Sequence, residues 1–278
     1  MQYRLPIGQG IEAGIDFLVE HLSFATKAIS VVVESALRML ENGMIAVPEP
    51  VFIAVCGALV WWLARDRRLS LFAIAGLALI WNMGLWEATM STVALVLVAT
   101  LFAIMLGIPL GIFASVNTIA YRIIMPVLDV MQTMPAFVYL IPAIPFFGLG
   151  KMAAIFSTVI FSMPPAIRLT CLGIKQVPYD LVECAEAFGT SRWQRLIKLE
   201  LPLARSTILA GVNQTVMLAL SMVVIASMIG AKGLGGEVWK AIQRLQMGRG
   251  FEAGIGIVIV AIILDRVLQK AGKRGNQP

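Results

Sequence analysis

The residues able to do covalent chemistry are few in this 278-residue chain, and their spacing does not bring them together. The single histidine, His21, sits among charged positions and has no ligand partner in sequence. Cys56, Cys171 and Cys184 have neither metal nor redox spacing. There is no phosphate-cradling GxxxxGK[ST] loop, so the chain is not expected to hydrolyse nucleotide. No cluster of His and carboxylates, zinc spacing or nucleophile elbow occurs, so neither a catalytic centre nor a metal site is expected. What remains is polar chemistry inside apolar sequence. Asp129, Gln132 and Thr133 cluster beside Pro135, and Asn213, Gln214, Thr215 and Ser221 dot a later apolar run. Amides and hydroxyls at membrane depth either bind a neighbouring helix or line a route for a polar solute.

The elements that must position these groups are membrane helices. The chain is 59% hydrophobic and 14% charged, with mean hydropathy +0.87. Soluble domains carry about 25% charged residues. Several apolar runs approach or exceed the ~20 residues needed to cross the hydrocarbon. An all-α polytopic membrane protein follows. The net charge of +6 reads as orientation and headgroup contact, with lipid and not nucleic acid as the partner.

Taken in order, residues 11–42 alternate charged and apolar positions every three or four residues, the pattern of an amphipathic helix, with Gly43 as its stop. Residues 1–48 form this N-terminal unit, outside or interfacial, lying along the membrane surface or against the bundle, and the opening MQYRLPIGQG lacks the apolar core of a cleaved signal peptide. Two peripheral spans occupy 49–87, with Trp61, Trp62, Trp81 and Trp86 as interfacial markers. The core unit covers 88–270 and the cytoplasmic tail 271–278. Its spans are 88–115, 123–147, 152–167, 206–230 and 252–265, giving seven in all.

The 123–147 span carries Pro126, Pro135, Pro142 and Pro145. Each removes a backbone donor, which lipid tolerates only where protein or a water-lined cavity satisfies the freed carbonyl. It is either a pathway wall or a kinked structural helix. Fourteen of the 22 Lys and Arg residues fall on the side that places the N-terminus outside and the C-terminus in the cytoplasm.

The longest polar stretch, 168–205, lies between apolar runs and carries six basic residues, so it belongs in the cytoplasm. Leu181, Cys184, Ala185 and Phe188 recur at helical spacing. Gly189 can end that helix, and Ser191 can cap a second through Trp193 and Leu196 that stops or bends at Pro202. Two amphipathic helices joined at a glycine make a docking knob.

Glu183-Cys-Ala185, three residues, Gly189, nine residues, then Leu199-Glu-Leu201-Pro202 resembles the "EAA" signature (EAA-x3-G-x9-I-x-LP) of ABC importer permeases. Cys184 stands for the first Ala and Leu199 for Ile. LDVMQTMPAFVYLIP (128–142), MPPAIRLTCLGIKQVP (163–178) and AGVNQTVMLALSMVVIASMIGAKGLGGEVW (210–239) are similar to the permease subunits of glycine betaine/proline and choline importers. The likeness is close over 88–270 and looser before it, and the chain lacks the long N-terminal extension that some members carry. The resemblance implies a type I ABC importer permease in a bacterial inner membrane. It implies a second copy of the permease, two ATPase subunits that bind ATP and Mg, and an extracytoplasmic substrate-binding protein.

The resemblance gives the coupling role to Glu183, Ala185 and Gly189, with Arg192 and Trp193 beside them and Leu201 and Pro202 beginning the return to the membrane. Met131, Gln132, Thr133, Pro135, Phe137, Asn213, Gln214 and Met222 are the expected pathway residues. With few Trp or Tyr away from the interfaces to build an aromatic cage, solute selectivity is expected mainly in the binding protein. The readings that compete are an ion-coupled carrier of similar solutes, disfavoured by Asp129 being the only carboxylate clearly within an apolar run, and a non-transporting scaffold.

Overall fold

The structure, a computed structural model, describes residues 7–274. Every regular element among them is helical. In order they are α1 (Ile7–Ala46), α2 (Glu49–Ala64), α3 (Arg67–Asn82), α4 (Trp86–Val116), α5 (Thr118–Thr133), α6 (Leu140–Phe147), α7 (Lys151–Lys175), α8 (Tyr179–Ala187), α9 (Arg192–Arg195), α10 (Leu201–Ala226), α11 (Leu234–Gln243) and α12 (Met247–Arg274). A π-helical turn, Leu196–Glu200, joins α9 to α10 without interruption.

The core is the packing of α7 between α4 and α10. Small residues let these backbones approach, as in membrane helix pairs generally. A Cβ added at Gly111 of α4 would lie 2.6 Å from the Ile167 carbonyl oxygen of α7, and one at Gly211 of α10 would lie 3.0 Å from the Pro165 oxygen. Three buried hydroxyls of α7 bond back to their own helix. Ser157, Thr158 and Ser162 each donate to the carbonyl four residues back. A polar side chain is thereby carried through a dry core without seeking a partner helix.

Several sequence expectations change here. α1 does not stop at Gly43 but runs to Ala46. It turns against α2 by 105° at Pro48, and Glu41 pairs with Lys151 at the start of α7, so its C-terminal part joins the core through Val33 and Leu37. The expected span 123–147 is not one helix. α5 and the segment 136–147 meet at 112°, because Pro135 can neither donate nor accommodate the carbonyl four residues behind it. The expected inward span 152–167 does not end at Pro164-Pro165 but continues as α7 to Lys175, so the protrusion expected over 168–205 is narrower than that range.

Three described helices are long and apolar enough to cross a bilayer alone: Trp86–Val116, Lys151–Lys175 and the continuous helix Arg192–Ile229. The count is five if each bent pair is one crossing. α2 and α3, expected as full spans, have 16 residues each. α12 carries the expected C-terminal tail as far as Arg274. Residues 1–6 and 275–278 of the expected terminal units lie outside the described residues.

Candidate solute route and coupling knob

The break at Pro135 is held by a specific bond. In an unbroken helix the residue at 135 would donate to the Met131 carbonyl, which proline cannot do. Tyr139, in the turn Ala136–Tyr139, donates its Oη to that carbonyl instead. Its ring packs edge-on against Phe161 of α7, with centroids 5.5 Å apart.

Beside this joint lies an open cavity of about 380 Å3 lined by Met131, Gln132, Phe161, Pro165, Asn213, Gln214, Met217 and Leu218. Four residues expected on the pathway, Met131, Gln132, Asn213 and Gln214, therefore meet at one place. The others do not line it. The Thr133 hydroxyl donates to the Val130 carbonyl at 2.9 Å, Pro135 starts the turn, and Phe137 is 53% exposed elsewhere. Met222 is fully enclosed in the core, which removes it from any surface a solute could reach. The cavity lining is amide, thioether, proline and hydrocarbon, without a formal charge or nucleophile.

Two carboxylates are tied near this region. Asp129 pairs with Arg168 across α5 and α7. Asp265 of α12 accepts from Asn213 Nδ2 at 2.8 Å and from Gln269 at 2.7 Å. Asp265 escaped sequence reasoning because it stands next to Arg266 and reads as the end of a span. Asn213 thus has the interhelical role that its sequence left open, while also lining the cavity. Among the described residues no group of three or more His, Cys, Asp or Glu could hold a metal ion. His21 is exposed and bonds the Phe17 carbonyl through Nδ1 at 2.8 Å.

The knob is built by two terminal motifs. α8 ends at Gly189, whose φ of +76° is the left-handed conformation glycine adopts without a Cβ clash. The Thr190 N–H reaches the Ala185 carbonyl at 3.2 Å and the Gly189 N–H reaches Glu186 at 2.9 Å, which closes the helix end. Ser191 then caps α9 reciprocally with Gln194, at 3.3 and 3.0 Å.

Glu183, Arg192 and Trp193 are exposed on this protrusion, as are Tyr179 and Phe188, while Ala185 is half-buried. Of the two outcomes expected at Pro202, a stop or a bend, the stop is excluded. The chain passes from α9 through the π-helical turn into α10, with the Leu201 N–H bonded to Leu196 five residues back. The widened turn accommodates the proline ring, which in a regular α-helix would crowd the Lys198 carbonyl. Leu201 and Pro202 therefore lie on one rigid rod that joins the knob to the core.

Residues 104–271 match the family of the binding-protein-dependent transport system inner membrane component. The chain belongs to that family. It is 47% identical over 277 residues to the glycine betaine transport system permease protein OpuAB of Bacillus subtilis, covering 98% of both chains. It is 46% identical to the glycine betaine/carnitine transport permease protein GbuB of Listeria monocytogenes, covering 98% of this chain and 97% of that one. Against the glycine betaine/proline betaine permease protein ProW of Escherichia coli it is 47% identical, covering 98% of this chain and 78% of the relative. An inward-facing methionine ABC transporter, MetNI, shares the fold at TM-score 0.59 and 23% identity, covering 68% of this chain and 93% of the matched one. The chain is an importer permease. The knob and the cavity therefore belong to the membrane component of a transport system.

Proposed function

We propose that this permease carries a quaternary ammonium or related zwitterionic solute such as glycine betaine, choline or proline across a bacterial inner membrane. Its route passes the amide-lined cavity, and its work comes from a separate ATPase docked at the α8–α9 knob. The complex contains two permease copies, two ATPase subunits that bind the ATP and Mg, and an extracytoplasmic protein that delivers the solute. The N-terminus lies outside and the C-terminus in the cytoplasm.

ATP binding closes the ATPases, draws the knobs together and opens the route outward, and hydrolysis returns it inward. This is alternating access by rigid movement of helix groups. The observation that carries the reading is the exposed knob continuous with α10, the helix that also lines the cavity with Asn213 and Gln214. Motion at one end of that rod is delivered to the solute at the other. The knob surface also has the chemistry of an interface, since Tyr179, Phe188 and Trp193 are 70%, 85% and 69% exposed around Glu183 and Arg192.

Uptake of labelled glycine betaine, proline betaine, carnitine, choline and proline in a strain without other osmolyte importers tests the substrate class, and uptake of none of them rejects it. The docking site is testable with a native handle. Cys184 on α8 is exposed, whereas Cys171 is buried and Cys56 half-buried. A bifunctional thiol reagent should join Cys184 to the ATPase subunit in membranes. No cross-link in either nucleotide state would remove the knob as the docking point.

A further inference from the structure

The knob has little to lean on. None of the nine residues of α8 is buried. A cleft of about 910 Å3 undercuts it, lying between the inner ends of α4 and α7 on one side and α9 with its π-helical turn on the other. Covalently, α8 follows α7 across residues 176–178 and leads on to α9, so a load on it has one short path into α7 and another towards α10. The covalent route from α8 to α10 runs through Gly189, a turn that changes direction, with nothing within 4 Å of where its Cβ would be.

One side chain closes this gap. Arg195, 22% exposed, donates through one terminal nitrogen to Glu186 on α8 and through Nε to Glu200 at 2.7 Å. Glu200 is 7% exposed and is the last residue of the π-helical turn, directly before α10. The guanidinium is planar and donates in fixed directions, so it holds both carboxylates at a set angle in a way that an ammonium cannot. The π register matters as well. Residues five apart do not share a face on a regular α-helix but do on a widened turn, which is what brings Glu200 under Arg195.

We propose that Arg195 is the brace that makes the knob rigid, a positioning residue through which a push on α8 reaches α10. It acts with Glu186 as its knob-side foot and Glu200 as its anchor. The proposal rests on the reading of α8–α9 as the ATPase docking point and adds how the load leaves it. Without the brace, α8 stays tied to α7 but pivots at Gly189 against α9, and the ATPase closes while α10 lags.

The test uses the complete transporter, permease with ATPase, in proteoliposomes supplied with binding protein and labelled glycine betaine. Arg195→Gln should leave the ATPase subunit bound and hydrolysing, while solute imported per ATP falls roughly five- to ten-fold. Arg195→Lys should recover part of that ratio, because a single ammonium holds one carboxylate well and the other poorly. Glu186→Gln, a change on an exposed carboxylate, removes only the α8 foot and should lower the ratio even if Arg195→Gln does not assemble. Lys198→Gln, which removes a neighbouring charge but no part of the brace, should match wild type.

An unchanged ratio in Arg195→Gln or Glu186→Gln overturns the brace, as does loss of the ATPase subunit from an otherwise folded Arg195→Gln permease. The Cys184 cross-link separates the two ideas. A cross-link with a wild-type ratio sinks the brace alone, and no cross-link sinks the docking reading beneath it.

Discussion

Gly189 is the residue on which the knob turns, and its demand is conformational. At φ +76° a β-branched side chain is strained whatever space surrounds it. Gly189→Val should leave the protein inserted but stop uptake, whereas Gly189→Asn, which tolerates this conformation, should retain much of it. Equal uptake by the two variants would show that the turn is not what matters there. Tyr139 makes a different demand. Its hydroxyl replaces the donor that Pro135 lacks, so Tyr139→Phe leaves the Met131 carbonyl without that bond at the edge of the cavity. Losing a hydrogen bond at a half-buried carbonyl costs about 0.5–1.5 kcal/mol. The variant should unfold more easily in detergent and show a raised KM for solute, and unchanged values of both would remove the joint from the mechanism.

At the scale of elements, the α4–α7 contact depends on backbone approach. Gly111→Ala places a methyl against the Ile167 carbonyl of a packed helix, where overpacking costs about 1–3 kcal/mol. The expected outcome is a lowered midpoint of thermal unfolding, with less damage from alanine at Gly43, where nothing lies within 4 Å.

The α2–α3 pair is tied to α12 by charge at the turn. Asp66 accepts from the Arg68 N–H at 2.8 Å as the cap of α3 and pairs with Lys270. The hydrogen bond from Lys270, followed by the backbone bond, holds its carboxyl below the usual carboxylate range. Because the folded value is depressed, the tie contributes fully above the ordinary carboxylate pKa of about 4 and is lost as pH falls through the lower folded value. Detergent-solubilised protein should lose stability on that acid side, and Asp66→Asn should abolish this component of the pH dependence. A wild-type acid profile in the variant would mean the tie carries no weight.

At the scale of the whole molecule, the proposed route and lever take their energy from a partner subunit. No nucleotide-binding loop occurs in the chain's 278 residues, and the family places it as the membrane component of a larger system. Reconstituted alone in vesicles, it should not accumulate glycine betaine against a gradient, even with an imposed ion gradient. Accumulation under those conditions would restore the ion-coupled reading. With ATPase, ATP inside the vesicles and binding protein outside, accumulation should appear.

Much of this was legible in the residues themselves. Apolar run length gave the membrane class. Local rules gave the knob, because a left-handed glycine and a Ser-x-x-Gln cap act over three to five residues and need no distant partner. Proline marked the broken fifth helix for the same reason.

The tertiary structure decided what depends on distant partners. By local rules Pro164-Pro165 is a stop and Pro202 a stop or a bend, yet helix continues through both, because neighbouring helices and a π-helical turn absorb what proline breaks locally. Met222 and Gln132 are similar as residues in apolar runs, and only packing puts one in the core and the other on the cavity. Arg195 shows the limit most plainly. Its two carboxylates stand nine residues back and five residues on, spacings that no regular helix pairs. A turn and a change of helical register had to form before the three could meet.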